Sequence, residues 1–100
     1  MAQVYTMQEL QEIITPIAKK HGVKRVSVFG SYGRGEATPQ SDVDLSIDCG
    51  EQMRTLIHYF AFVLDLEDAL GCHVDVVSSR SSDQKFLASI KKDEVKIYEQ

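Results

Sequence analysis

The sequence has no tryptophan, only two cysteines and two prolines, and no long apolar run. No apolar stretch approaches the ~20 residues of a membrane span, and the N-terminus lacks the basic-then-apolar pattern of a signal peptide. Cys49 and Cys72 do not form a Cys-x-x-Cys motif, so we expect buried free thiols rather than zinc ligands. These absences predict a cytoplasmic protein that does not associate with membranes.

Positive charge is also scarce. Lys and Arg together number 11 against 15 Asp and Glu, which gives a formal net charge of −4 at pH 7. Broad nucleic-acid binding needs a basic stripe, so this balance argues against it. The chain of 100 residues is expected to form one domain spanning 1–100.

Strand and helix signals alternate along the chain, which predicts an α/β domain with a small sheet flanked by helices. Three to four strands are expected, and their predicted ranges are Val23–Phe29, Asp42–Asp48, His73–Val77 and Val95–Ile97. Helices are predicted after a capping box at Thr6, across Glu51–Leu70, and after Ser81 or Ser82. The pattern is compatible with either a mixed or a parallel sheet.

The helices carry further expectations. Pro16 removes one helical hydrogen bond, so a kink or break is expected in the first helix, which should end at Gly22. The second helix should end at Gly71. Its expected buried stripe is Met53, Leu56, Ile57, Phe60 and Leu64. The expected apolar face of the last helix is Phe86, Leu87 and Ile90.

The most informative feature is the segment Phe29-Gly30-Ser31-Tyr32-Gly33-Arg34-Gly35, a glycine-rich turn at the end of an apolar strand. Gly30 has no side chain, so phosphate oxygens could approach the backbone amides around it. Ser31 adds a hydroxyl donor. Arg34 could pair with a phosphate or with the domain's own acidic residues. The segment is therefore a candidate phosphate-binding loop.

Two carboxylates, one residue apart, follow this loop in the segment Ser41-Asp42-Val43-Asp44-Leu45. Side chains alternate along a strand, so Asp42 and Asp44 point the same way, with Cα atoms about 6.5 Å apart. Their carboxylates can converge on metal ions spaced ~3.5–4 Å apart, as two-metal phosphoryl-transfer sites require. Magnesium, which prefers oxygen ligands shared with phosphates, is the expected metal.

A third carboxylate would complete such a site, and Asp75 is the candidate. Val74 and Val76 bury one face of its strand, which leaves Asp75 on the other face with His73. The cluster forms only if this strand lies beside the strand of Asp42. Asp48 lies roughly 13 Å beyond Asp44 at ~3.3 Å per residue, so solvation is its expected role. His73 lacks the partner spacing of a metal site.

The joined pattern from Phe29 to Leu45 resembles the DNA polymerase β-like nucleotidyltransferase superfamily. Within it, the chain is most similar to the minimal nucleotidyltransferases, many of which are antitoxins paired with HEPN-type toxins. The resemblance implies that Gly30 and Ser31 hold a nucleoside triphosphate, and that Asp42, Asp44 and Asp75 bind two divalent metals. Gly33 stands where alanine is frequent in that family, a change expected to be harmless.

The resemblance implies a Mg²⁺-dependent nucleotidyltransferase, an antitoxin that transfers AMP from ATP to a tyrosine of a HEPN toxin or another helical partner subunit. A non-enzymatic antitoxin that inhibits its partner by occlusion is one alternative. Transfer to a small molecule or an RNA end is the other. The acidic balance and the lack of an acceptor-binding domain speak against that second alternative.

Overall fold

A computed structural model describes residues 4–48, 55–78 and 84–100, with backbone alone at 84, 86, 87, 89 and 90. The elements in chain order are α1 Met7–Lys20, β1 Arg25–Phe29, α2 Gly30–Gly33, β2 Val43–Asp48, α3 Leu56–Leu70, β3 Val74–Ser78, α4 Gln84–Asp93 and β4 Val95–Glu99. No helix within these ranges is long and apolar enough to cross a bilayer.

The four strands form one mixed sheet in the order β3-β2-β1-β4. β1 pairs antiparallel with both β2 and β4, whereas β2 and β3 are parallel. A parallel pair needs a crossover, and α3 supplies it between β2 and β3. The predicted α/β class with a small sheet of up to four strands is confirmed, and the open question of sheet type resolves as mixed.

The core lies between one face of the sheet and the helices α1 and α3. Strand alternation in β2 places Val43, Leu45 and Ile47 on that face, where each is fully buried. Asp44, on the opposite face, is only partly buried. The sheet therefore separates an apolar face under the helices from a face that carries the acidic residues.

Helix α1 begins at the predicted capping box. The Thr6 hydroxyl accepts from the Glu9 amide at 3.0 Å, and the Glu9 carboxylate accepts from the Thr6 amide at 2.9 Å. Of the kink or break predicted at Pro16, the break does not occur, since the helix runs unbroken through this residue to Lys20. A kink there stays a prediction. Burial of a regular face holds the helix together although one hydrogen bond is lost. That face is Leu10, Ile14 and Ala18. Gly22, with φ 72°, takes the expected left-handed conformation after the helix.

Helix α3 buries the face opposite to the predicted one. Its buried residues are Phe62, Leu66 and Leu70. Four members of the predicted stripe are instead exposed: Leu56 by 72%, Ile57 by 79%, Phe60 by 58% and Leu64 by 64%. Met53 lies outside the described residues. The prediction failed because α3 is apolar on both faces, so periodicity alone could not identify the buried side. The stop at Gly71, in the left-handed conformation, is confirmed.

The predictions about the two cysteines and the last helix can be compared with the structure only in part. Cys72 is a partly buried free thiol, as expected, and burial followed by the charges of Asp42 and Glu67 raises its pKa. Cys49 lies outside the described residues, as do Ser81 and Ser82 at the predicted start of the last helix. That helix is present as α4, but its predicted apolar face of Phe86, Leu87 and Ile90 falls on residues described by backbone alone.

Candidate active site

The sheet brings two of the predicted carboxylates directly side by side. In the parallel pairing of β2 with β3, Asp44 lies opposite Asp75. The Val43 amide donates to the His73 carbonyl at 3.1 Å and extends this pairing toward Asp42. The condition set by the sequence is therefore met, since the two strands are neighbours and the three carboxylates lie together.

Asp44 is held in a polar cluster that disfavours its charge. Burial, and then the negative charges of Asp75 and Asp42, raise the pKa of the Asp44 carboxyl above its ordinary value. Its hydrogen bond to Asp75 acts in the same direction. A hydrogen bond between two carboxyl groups requires a proton on one of them. A divalent cation would satisfy the same pair without that proton.

The most compact set of potential ligands consists of Asp42, His73 and Asp75, whose ligand atoms all lie within 4.8 Å of one another. All three residues are exposed, so the set opens to solvent and could share a cation with a substrate. Two carboxylates with a third beside them offer the oxygen donors that Mg²⁺ prefers. The donor chemistry therefore fits a divalent metal.

His73 lies beside Asp75, on the face where the sequence placed it, but the sequence provided no reason to count it among the potential metal ligands. Its Nε2 lies 2.9 Å from Asp75 Oδ1 and its Nδ1 lies 3.0 Å from Glu67 Oε2. The hydrogen bond to Asp75, and then its charge, raise the pKa of the imidazole. An imidazole between two carboxylates donates to both when it is protonated, so it fixes the orientation of Asp75. The signal was its place two residues before Asp75 on the same strand face.

Glu67 connects this arrangement to α3. Its carboxylate accepts from the Val74 amide at 3.1 Å, at the start of β3, as well as lying against His73. The end of the crossover helix is thus tied to the strand that carries Asp75. No residue pattern in the sequence indicated this role, because it depends on how α3 lies over β3.

Gly30 lies against the side chain of Asp44. A Cβ at this position would collide with the Asp44 carboxylate, whose Cγ would be 3.1 Å away, and the residue has a φ of +69°. Both conditions favour glycine. Gly30 therefore joins the phosphate-binding candidate to the acidic cluster, and Ser31 follows it as the second residue of α2.

Arg34 pairs with the domain's own acidic residues in this structure. Its Nε lies 3.2 Å from Glu36 Oε2, and its Nη1 lies 3.2 Å from Asp93 Oδ2. These pairs connect the loop after α2 to the end of α4. A phosphate role for Arg34 stays a prediction.

The neighbouring residues of the loop have packing roles. At Gly33, a Cβ would collide with the backbone carbonyl of Asp93, so this glycine lets the end of α4 approach α2. Tyr32 is buried at 6% exposure, and its hydroxyl accepts from the Tyr5 amide at 3.3 Å. Asp48 lies at the far end of β2, opposite Arg25.

Comparisons with known proteins agree with this arrangement. The family model "Polymerase beta, Nucleotidyltransferase" matches residues 11–100. The protein adenylyltransferase MntA of Thermococcus cleftensis is 38% identical over 80 residues, which cover 76% of this chain and 80% of that protein.

Two solved structures share the fold. A "putative minimal nucleotidyltransferase" superposes with a TM-score of 0.76 at 34% identity, over 91% of this chain and 95% of the other. A tri-AMPylated HEPN toxin in complex with its MNT antitoxin, from Shewanella oneidensis, matches with a TM-score of 0.72. At 18% identity, over 95% of this chain and 74% of the other, that likeness shows the fold alone.

Proposed function

Because the chain belongs to the polymerase β nucleotidyltransferase family, as its motif predicted, we propose that it is a Mg²⁺-dependent protein adenylyltransferase. The observation that carries this proposal is the Asp44–Asp75 pair, joined by Asp42 and lying over Gly30. Three carboxylates beside a glycine-serine turn are what metal-assisted transfer from a nucleoside triphosphate requires. The name of the 38% identical relative supports protein as the acceptor class.

In the proposed reaction, an acceptor hydroxyl oxygen bonds to the α-phosphorus of ATP. The bond from that phosphorus to the oxygen bridging the β-phosphate breaks, and pyrophosphate leaves. Mg²⁺, when bound, supplies positive charge that lowers the pKa of the acceptor hydroxyl and stabilises the departing pyrophosphate. Asp42, Asp44 and Asp75 would hold two such ions.

The other site residues bind, orient and accept the proton. Gly30 and Ser31 cradle the phosphates through backbone amides and a hydroxyl. Asp75 accepts the proton of the attacking hydroxyl. His73 keeps the Asp75 carboxylate oriented through the 2.9 Å contact described above.

The proposed acceptor is a tyrosine of a partner protein, and the proposed partner is a HEPN-type toxin. The Shewanella complex supports this, since it joins an AMPylated toxin to a protein of the same fold. Modification of the toxin would make this chain its antitoxin. The acceptor must reach the acidic face of the sheet, because the opposite face is closed by α1 and α3.

The test is intact-mass spectrometry of a candidate HEPN partner after incubation with this protein, ATP and Mg²⁺. The proposal predicts a mass gain of one or more AMP units, lost in the Asp42→Asn variant. Asp48→Asn is the matched control, since Asp48 is on the same strand at its far end. Full transfer by Asp42→Asn would contradict the mechanism. If the Asp42→Asn variant still neutralises the toxin but leaves it unmodified, that result would favour inhibition by occlusion.

A further inference from the structure

Three polar side chains in contact with one another lead from helix α3 to the acidic cluster. Glu67, in the last turn of α3, has its Oε2 3.0 Å from His73 Nδ1, and His73 Nε2 lies 2.9 Å from Asp75 Oδ1. Because β3 is an edge strand of the sheet, a side chain from the helix layer can reach residues on the other face. The contacts therefore connect α3 with one of the three carboxylates of the candidate site.

The fixed end of this series of contacts is Glu67. Its carbonyl accepts from the Gly71 amide at 2.8 Å, and its carboxylate accepts from the Val74 amide at 3.1 Å. Its side chain is 29% exposed, against 59% for His73 and 54% for Asp75. An exposed side chain holds a neighbour in one orientation only when it is itself held. Glu67 is therefore placed to hold His73, which in turn holds Asp75.

The contacts of His73 place it outside the set of direct metal ligands. One of its ring nitrogens lies within 4.8 Å of ligand atoms of Asp42 and Asp75, which is near enough for a shared cation. Both nitrogens, however, lie at hydrogen-bond distance from carboxylate oxygens, and an imidazole that donates from both has no lone pair left for a metal. Ligation would break one of these contacts, so retaining both gives His73 an orienting role.

Orientation matters at Asp75 because its side chain is exposed and its charge is shared within the cluster. His73 contacts Oδ1, and Asp75 lies opposite Asp44 in the parallel pairing of β2 with β3. A ligating carboxylate is usually held by a hydrogen bond from a neighbouring group, and loss of such a group typically costs about 10–100-fold in metal affinity. The His73 contact is the one of this kind that reaches back to α3.

From these contacts, we infer that Glu67 is a positioning residue for the metal site, acting through His73 on the orientation of Asp75. The inference rests on the proposed metal-dependent transfer, since the affinity of the carboxylates for a divalent cation is the property that Glu67 sets. It gives helix α3 a part in the site, although α3 packs on the other face of the sheet. A purely structural Glu67 would hold α3 to β3 through the Val74 amide and leave this affinity unchanged.

Mn²⁺ binding to the full chain without nucleotide tests this inference, with free Mn²⁺ measured by its EPR signal. Mn²⁺ is a suitable probe because it takes the same oxygen ligands as Mg²⁺. Glu67→Ala and His73→Ala should each weaken binding about tenfold or more. Asp68→Ala is the matched control, because it removes the same charge from the adjacent, exposed position of α3. It should bind Mn²⁺ like the parent chain.

Thermal unfolding of each variant shows whether it folds. If Glu67→Ala does not fold, Glu67→Gln replaces it, because the amide oxygen of Gln still accepts from the Val74 amide. Glu67→Gln should also weaken Mn²⁺ binding, since a neutral acceptor holds the imidazole less strongly than a carboxylate does. Parent-like binding by a folded Glu67 variant would overturn the inference.

The double variant tests the route through His73. If Glu67 acts only through the imidazole, Glu67→Ala should cause no further loss of Mn²⁺ affinity in a chain that already carries His73→Ala. A further tenfold loss would show that Glu67 acts by another route and would overturn the inference.

Pulsed EPR of the bound Mn²⁺ shows whether a nitrogen atom is coordinated. We expect no nitrogen coupling in the parent chain. A nitrogen coupling that His73→Ala removes would make His73 a direct ligand, and the positioning role would then be wrong.

The failure of this inference can be distinguished from the failure of the proposed function. A parent chain that binds Mn²⁺, with Glu67 variants that bind it equally well, overturns the inference and leaves the proposed metal site intact. A parent chain that binds no Mn²⁺ at millimolar concentration contradicts the metal site and overturns both. Absence of AMP transfer by a chain with the expected Mn²⁺ affinities would contradict the proposed reaction and leave the role of Glu67 intact.

Discussion

At the scale of single residues, Gly30 meets two constraints that can be separated. Its φ is +69°, and its Cα lies against the Asp44 carboxylate. Gly71 has the same φ of +69°, but a Cβ there would meet nothing within 4 Å. The two glycines therefore differ in the contact and not in the backbone conformation.

We predict that Gly71→Ala costs about 1–2 kcal/mol of unfolding free energy from backbone strain alone and keeps transfer activity. Gly30→Ala should cost more and lose transfer, because its methyl group displaces Asp44. Denaturant unfolding and the mass-gain assay measure the two effects. Equal losses of stability, with activity kept in both variants, would show that the contact with Asp44 does not matter.

The raised pKa of Asp44 predicts how its contribution to stability depends on pH. Its pKa is raised in the folded chain, so the folded state binds a proton more readily than the unfolded state does. By linkage, the contribution of Asp44 to the stability of the metal-free protein falls as pH rises from the ordinary Asp pKa of 3.8 through its raised pKa. Above that window, the cost of the charged cluster is fully present.

Asp44→Asn should remove this cost while leaving a hydrogen-bond donor for Asp75. In metal-free buffer at pH 7, we expect its unfolding free energy to rise by on the order of 1 kcal/mol, since partial exposure screens the repulsion. Thermal unfolding with and without Mg²⁺ measures it, and Mg²⁺ should stabilise the parent chain more than the variant. A lower melting temperature for metal-free Asp44→Asn would contradict this account of the cluster.

At the scale of elements, α3 offers a matched pair of phenylalanines. Phe62 is fully buried, whereas Phe60 is 58% exposed. Phe62→Ala should therefore destabilise the fold by about 3–5 kcal/mol. Phe60→Ala should change it by no more than about 0.5 kcal/mol, because its side chain is largely exposed. Denaturant unfolding measures both free-energy changes. A larger loss of stability from Phe60→Ala would indicate that the buried face of α3 is the one that periodicity predicted.

Some features of these elements could be predicted from the sequence, and the buried face of α3 could not. The capping box at Thr6 and the alternation in β2 were predictable because each depends on local chemistry. The buried face of α3 was not, because Phe60 and Phe62 are equally apolar and only the packing of α3 in the core distinguishes them. That α1 continues through Pro16 without a break was not predictable for a related reason, since burial of α1 outweighs one lost hydrogen bond.

At the scale of the whole molecule, the site depends on topology. Gly30, Ser31, Asp42 and Asp44 were predictable as a local motif, and Asp75 was predictable as a candidate. What joins them is the parallel pairing of β2 with β3, which no local pattern specifies. The contact of Glu67 with His73 depends on how α3 lies over β3, so it could not be foreseen. The single-domain prediction for 1–100 stays a prediction.

The proposed reaction transfers a nucleotide at the acidic face of the sheet. Parallel incubations of the protein, Mg²⁺ and a HEPN partner, with ATP labelled at the α- or the γ-phosphate, test it. We expect the α-label to become covalently attached to the partner and the γ-label to leave with pyrophosphate, and we expect Asp42→Asn to transfer neither. Attachment of the γ-label, or of neither label by the parent chain, would contradict the proposed reaction.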